Sequence, residues 1–279
     1  MPDIYLDPDA IPDEVLDAMK ESLERRAATP QQGAALQSYL ADIEFPSAAR
    51  VLDVGCGTGP QSRVIAVIPE VGEVVGVDQL APFLERGREL AADLPNVSFE
   101  QADARDLPFD DASFDVVVLH TLLTHVPGPE GVLNEVHRVL KPGGFVAIYD
   151  GDFTTMSVAT LEQDPLQAAI DAFVDGNVHD RWLVRRLPWM LRDAGFDPSP
   201  ARSHGHLDTD DPVLTLGWTL RGAHYLKDAG AIDEGAAKAL ESEARRRIET
   251  LIFLTGTQCS LVCCSGRCRA LENASSWRT

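Results

Sequence analysis

Chemistry-bearing residues concentrate in one run, Val51-Leu-Asp-Val-Gly-Cys-Gly-Thr-Gly59. Gly55, Gly57 and Gly59 stand at alternate positions, which lets the backbone turn tightly and approach a ligand closely. Pro60 stands at a first helical position, so the helix it opens aims its free N–H groups at the same place. A dinucleotide fingerprint has its third glycine one place later. Asp53, two residues before Gly55, would oppose an anionic pyrophosphate and suits a ligand carrying positive charge. A second acid, Asp78, follows nineteen residues after Gly59, at the end of an apolar run. A carboxylate there accepts hydrogen bonds from both hydroxyls of a ribose. His120 and His125 flank the segment HTLLTHVPG. His125 is the first candidate for a general base or an acceptor contact, because imidazole titrates near neutral pH.

The elements that must position these residues are legible in the apolar pattern. Residues 50–55, 74–78, 97–101, 115–120 and 145–149 read as short buried strands, and 81–91 and 130–140 as the helices between them. Strands alternating with helices at this spacing indicate βαβ units and a parallel sheet covered on both faces. Before this core, Asp13 is a candidate cap for a helix with Val15, Leu16, Met19 and Leu23 on one side, and a second helix is expected over 31–43. After Asp150 the regularity breaks, and helices are expected over 182–194, 212–228 and 233–250 with a last strand at 259–265. Trp182, Trp189 and Trp218 read as core residues of this cap. His204 and His206 alternate along one strand face, and His179 and His224 fall in cap segments.

Four cysteines, Cys259, Cys263, Cys264 and Cys268, crowd near the end, whereas zinc pairs are usually spaced C-x₂-C. Cys263 and Cys264 are adjacent, so they point to opposite faces of a strand and read as small apolar residues; no metal is expected. Tail residues 270–279 lack an apolar pattern and are expected to fray. The 279 residues hold Lys+Arg 24 against Asp+Glu 44, a net charge of −20. That charge repels phosphate backbones and anionic bilayers, so neither nucleic acid nor membrane is an expected partner. The start, MPDIYLDPDAIPDEV, has no basic and apolar leader, and the cysteines do not form a secreted scaffold; both point to a reducing cytoplasm. The acid excess of the first 45 residues argues against strongly anionic substrates.

VLDVGCGTG, VVGVD, QADARDLPF, DASFDVVVLH and RVLKPGG, in this order and spacing, resemble the class I S-adenosylmethionine-dependent methyltransferases, and within them the small-molecule enzymes similar to those of quinone biosynthesis. The resemblance covers residues 48–150 and extends more weakly through RRLPWMLRDAGF. It implies a doubly wound, mostly parallel seven-stranded α/β sheet of Rossmann-like type with helical lid segments. The expected organisation is an N-terminal lid at 1–45, a cofactor-binding core at 46–150, and a cap with the last strands at 151–279. It implies S-adenosyl-L-methionine as cofactor. Gly55, Gly57 and Gly59 would admit its methionine portion, Asp53 would lie near its ammonium group, and Asp78 would bind its ribose. Gln79 would lie beside the adenine, Asp103 would meet the adenine amino group with Ala104 giving a backbone N–H, and His120 would lie under the methionine. Tyr5 and Tyr39 fall in the segment that in this family often folds over the site. The implied function is methyl transfer to a small organic acceptor at O, N or C, by a monomer or homodimer. The alternatives are a nicotinamide-dependent oxidoreductase, which the glycine spacing and Asp53 oppose, and a non-catalytic cofactor-binding protein.

Overall fold

Two amphipathic segments open the chain as helices, α1 (Asp13–Ala27) and α2 (Pro30–Leu40). The structure is a computed structural model and describes residues 11–208, 212–249 and 255–265. Tyr5, Cys268 and the tail 270–279 therefore lie outside the described residues. The N-cap of α1 is Pro12, and Asp13 is the first helical residue rather than the cap. Its carboxylate still complements the positive end of the helix dipole.

Strands and helices then alternate as β1 (Ala49–Val54), α3 (Pro60–Ile65), β2 (Val71–Asp78), α4 (Ala81–Leu90), β3 (Val97–Gln101) and β4 (Phe114–His120). A 3₁₀ turn, Leu123–His125, leads into α5 (Pro129–Val139) and the long strand β5 (Leu140–Ser157). There follow α6 (Pro165–Asn177), α7 (Leu183–Asp193), β6 (Phe196–Pro198), β7 (Arg202–Leu207), α8 (Val213–Asp228), α9 (Glu234–Glu249) and β8 (Thr255–Ser265).

The strand order is β3-β2-β1-β4-β5-β8-β6, with β7 also on β8. Strands β1 to β5 are parallel and β8 runs antiparallel to its neighbours. The sheet therefore has eight strands where seven were expected. The difference is a break in one edge: β6 pairs with Cys263–Ser265 and β7 with Thr255–Ser260 of the same strand. Proline has no N–H for a ladder, and Pro198 and Pro200 stand at the break. The Ser199 N–H still donates to the Val262 carbonyl at 3.0 Å, which keeps the two halves on one edge.

The sheet is buried on both faces because its central strands are mostly apolar on both sides, with Val51, Leu52 and Val54 in β1 and Val116 to Leu119 in β4. On one face Leu119, Ile148, Leu261 and Cys263 pack under Val132, Leu133 and Val136 of α5 and Leu187 and Leu191 of α7. On the other, Val116, Val118, Tyr149 and Val262 pack under Leu36 and Tyr39 of α2. Burying each large side chain of this kind contributes roughly 1.5–3 kcal/mol. The alternation of Cys263 with Val262 shows why the cysteines serve as core residues here.

Helices α6, α8 and α9 form a separate layer, in which Trp218 stacks on Phe173 at 5.6 Å between ring centroids. Trp182 and Trp189 were expected in this core and are not there, with 51% and 57% of their surface exposed. Trp189 lies on the solvent side of α7, where helical periodicity decides burial and side-chain size does not, and Trp182 is the N-cap residue of that helix. Trp182 instead carries the Arg185 guanidinium 5.0 Å above its ring.

Candidate active site

The chain reverses direction across the sheet at β1, which lies between β2 and β4. In doubly wound sheets ligands bind at the carboxyl ends of the strands flanking that point. Here β1 ends in Gly55–Gly59, whose three glycines have φ of 71°, 56° and 74°, and α3 starts at Pro60. The loop is tied to β2 by the N–H groups of Gly55 and Cys56, which donate to the Val77 carbonyl at 2.8 and 3.0 Å. A Cβ on Gly59 would come within 2.5 Å of the Phe99 ring, and one on Gly55 within 2.6 Å of Leu122. Positive φ and lack of room together require glycine here.

A cavity of about 180 Å³ opens beside the loop. Gly55, Gly57, Asp78 and Gln79 border it on one side, and Asp103, Ala104, His120 and His125 on the others. Asp53 and Gly59 do not border it. Asp53 is buried behind the loop, where its Oδ2 accepts from Ser62 Oγ at 2.6 Å. Its Oδ1 is buried with no hydrogen-bond partner among the described residues. Burial, partly offset by Ser62 and reinforced by the charge of Asp78, pushes the Asp53 carboxyl up to about 6. Asp78 accepts from the N–H groups of Gly57 at 2.9 Å and Leu80 at 3.0 Å. Loss of water raises its pKa against the pull of those donors. Among the described residues neither acid has an ion-pair partner.

Asp103 is placed differently. It caps its own loop, accepting from the Arg105 N–H at 2.9 Å and pairing with the guanidinium at 2.7 Å. The Arg105 hydrogen bonds hold its carboxyl below the usual range.

His120, at the end of β4, is buried, stacks on Tyr149 at 4.6 Å and meets Tyr39 Oη at 2.9 Å through Nδ1. Its Nε2 is buried without a partner among the described residues. Burial and then the charge of Arg26 push its pKa down to about 3, so the ring is neutral. Tyr39 therefore sits beneath the site as a support. Tyr149 in turn donates to the Gln258 Oε1, which also accepts from Gln32 at 3.0 Å. His125 lies in the 3₁₀ turn beside the Phe153 ring, 6.4 Å between centroids.

Several residues at the site carried no signal in the sequence. Leu23 of α1 lies 3.0 Å from where a Gly57 Cβ would stand. Glu24 accepts from Thr58 at 2.5 Å and pairs with Arg63 at 2.6 Å, so α1 is tied to the glycine loop. Arg26 borders the cavity and donates to Thr121 Oγ1 at 2.9 Å. In sequence it is a basic residue in the last turn of a helix, an ordinary dipole complement. Thr121 is β-branched yet has φ of 55°, a strained conformation of the kind that clusters at functional sites. Beyond Arg26 lie two further chambers of about 320 and 360 Å³, both bordered by Phe153, Met156, Leu214 and Trp218. His206 borders the first of them, and His204 meets Ser260 Oγ at 2.7 Å. Among the described residues no group of three His, Cys, Asp or Glu side chains could hold a metal ion.

Comparison with known proteins agrees with this geometry. Residues 52–148 match the family model described as a methyltransferase domain. Demethylmenaquinone methyltransferase of Staphylococcus aureus is 38% identical over 118 residues, which cover 42% of this chain and 49% of that protein. The chain spans about half the length of the curated relatives it matches. A candidate methyltransferase structure from Bacillus halodurans superposes with a TM-score of 0.61 at 20% identity, over 84% of this chain and 100% of its own. Phosphoethanolamine N-methyltransferase 2 of Haemonchus contortus, in complex with phosphomonomethylethanolamine and S-adenosylhomocysteine, superposes at 0.58 with 18% identity, over 94% of this chain and 60% of its own. At these identities the structural likeness shows the fold alone, and the family match covers residues 52–148. Residues 52–148 thus match a methyltransferase domain, in a fold shared with class I S-adenosylmethionine-dependent methyltransferases and with sequence similarity to those of quinone biosynthesis.

Proposed function

We propose that this chain transfers the methyl group of S-adenosyl-L-methionine to a small organic acceptor at O, N or C. The observation that carries the reading is a pair of acids, Asp53 and Asp78, beside a glycine cradle with no cation paired to either among the described residues. Such a site favours a ligand that brings positive charge and hydrogen-bond donors, and it opposes an anionic pyrophosphate. The orphan Asp53 Oδ1 is a further mark of a fit to that cofactor.

The bound cofactor supplies an electrophilic methyl on sulfonium, with a neutral thioether as leaving group. The chain's residues then bind, orient and exclude water. Asp78 retains lone pairs for the ribose hydroxyls beyond its backbone donors. Asp53 provides negative charge toward the ammonium end from behind the loop. Gln79 and Ala104 edge the adenine end, and Asp103 keeps Ala104 in place by capping the loop. His120 stays neutral under the methionine portion, because burial and then the charge of Arg26 disfavour its protonated form. His125, at the mouth toward the outer chambers, is placed to take a proton from an acceptor that must lose one. Residues 1–45 and the helices after residue 150 act as lid and cap. The −20 charge supports a small-molecule acceptor over nucleic acid, and a cytoplasmic monomer or homodimer is the working form. No described helix is long and apolar enough to cross a membrane.

Titration calorimetry with S-adenosylhomocysteine tests the cofactor site. Wild-type protein should bind it, and Asp78→Ala should weaken binding by about 1–3 kcal/mol, the scale for losing hydrogen bonds to a charged group. Unchanged affinity in the variant would remove Asp78 from the ribose. Binding of NAD(H) with none of S-adenosylhomocysteine would replace the reading with the nicotinamide one.

A further inference from the structure

In a chain of net charge −20, unpaired cations facing one space need a reason. Arg25 and Arg26 of α1 and Arg221 of α8 all border the outer chamber of about 360 Å³. Among the described residues none of the three has an ion-pair partner. Nearby acids are engaged elsewhere: Glu24 with Arg63, Asp152 with Arg185, and Asp208 with the Thr215 hydroxyl. Glu21 is the one acid that borders this chamber, and it is exposed. The acid excess of residues 1–45 predicted a site hostile to anions. Folding reverses that expectation, because α1 turns its arginines toward the chamber.

Arg26 stands at the junction. It borders the cofactor cavity and both outer chambers. It shares the cofactor cavity with His120 and the chamber of about 320 Å³ with His206. The rest of the outer wall is apolar and aromatic: Phe153, Met156 and Trp218, with Phe173 stacked behind the indole. Flat apolar walls with a few convergent polar groups are what orient a small ligand. A guanidinium fork matches an oxyanion in a way that a neutral amide does not.

We propose that the methyl acceptor carries a compact oxyanion on a flat apolar body, with the oxyanion held by Arg26, Arg25 and Arg221 and the body against Phe153 and Trp218. This rests on the methyltransferase reading and names its substrate class. Carboxylate and phosphate share the recognition chemistry, so the test includes both.

The probes are 2-naphthoate, 2-naphthyl phosphate and 2-naphthamide, titrated into full-length protein saturated with S-adenosylhomocysteine. At least one anionic probe should bind about tenfold more tightly than the amide, the scale of one charged hydrogen bond. Which of the two binds more tightly identifies the oxyanion. The double variant Arg25→Gln/Arg221→Gln, at exposed positions that do not border the cofactor cavity, should lose most of that preference while binding S-adenosylhomocysteine as before. Arg26→Gln should lose the preference as well. Amide binding equal to that of both anions, no saturable binding of either anion, or a preference that survives both variants overturns the proposal. Failure of wild-type protein to bind S-adenosylhomocysteine overturns the methyltransferase reading instead, so the two failures are distinguishable.

Discussion

At the scale of single residues, Asp53 shows how a site stores an unmet need. Its pKa is raised to about 6 from 3.8, chiefly by burial. A carboxyl raised on folding binds its proton more tightly in the native state. Stability from this group is therefore greatest below pH 3.8 and falls as pH rises toward about 6, by roughly 3 kcal/mol over the window. In cofactor-free protein, Asp53→Asn should flatten that part of the pH–stability curve and raise stability at pH 7, while weakening S-adenosylhomocysteine binding. Chemical denaturation across pH reads this, and an unaltered slope would show that Asp53 is solvated in the free protein. His120 is the complementary case. Its depressed pKa keeps it neutral at working pH, so a pH profile of activity should show no step from it, and any step near neutrality belongs elsewhere.

At the scale of elements, the α6–α8–α9 layer depends on one buried ion pair. Arg247 of α9 forks onto Asp164, the N-cap of α6, with bonds of 2.6 and 2.9 Å, and also reaches the Val158 carbonyl at 3.1 Å. Asp164 accepts the Leu166 N–H at 3.1 Å as a helix cap. Burial works to raise the Asp164 carboxyl, but the guanidinium and the backbone donors outweigh it and hold it well below its ordinary range. Asp164→Ala would remove both charged bonds of the fork and the cap of α6, leaving Arg247 with Glu243 and the Val158 carbonyl, a loss of about 1.5–3 kcal/mol. We expect a lowered Tm, with melting that begins in the cap. Near-UV circular dichroism, dominated by Trp218 of this layer and by the tryptophans of α7, checks it, and a variant as stable as wild type would show that the pair is solvated in solution. Sequence patterning placed α8 and α9 to within a few residues and did not place α6, whose segment breaks the regular pattern. It did not pair Asp164 with Arg247, since the two are 83 residues apart and each alone reads as an ordinary cap or surface charge.

At the scale of the whole molecule, α1 is bound to the cofactor loop through Leu23 and Glu24 and to α4 through Leu16, Met19, Leu80 and Phe83. Opening of α1 would uncover the cavity, so ligand and helix should protect each other. Hydrogen exchange of α1 amides should slow on saturation with S-adenosylhomocysteine, by up to about 100-fold at a ligand concentration of 100 Kd. Unchanged exchange would separate α1 from the site. The parallel core, the glycine turn, Asp78 at the end of β2 and His120 at the end of β4 were all legible from local pattern, because apolar periodicity and glycine spacing are written within a dozen residues of chain. The broken edge strand was half legible, in the alternation of His204 and His206, but its break at Pro198 and Pro200 and its pairing with β8 were not. What only the tertiary structure decided are the contacts between distant segments. Arg26 meets Thr121, Tyr39 meets His120 and Gln32 meets Gln258 across separations of 95, 81 and 226 residues. Charge counted along the chain made the N-terminal segment acidic. Folding set Arg25 and Arg26 along the walls of the outer chambers and left its acids in solvent or engaged elsewhere, because helical periodicity assigns each side chain a face and packing chooses which face meets the cavity.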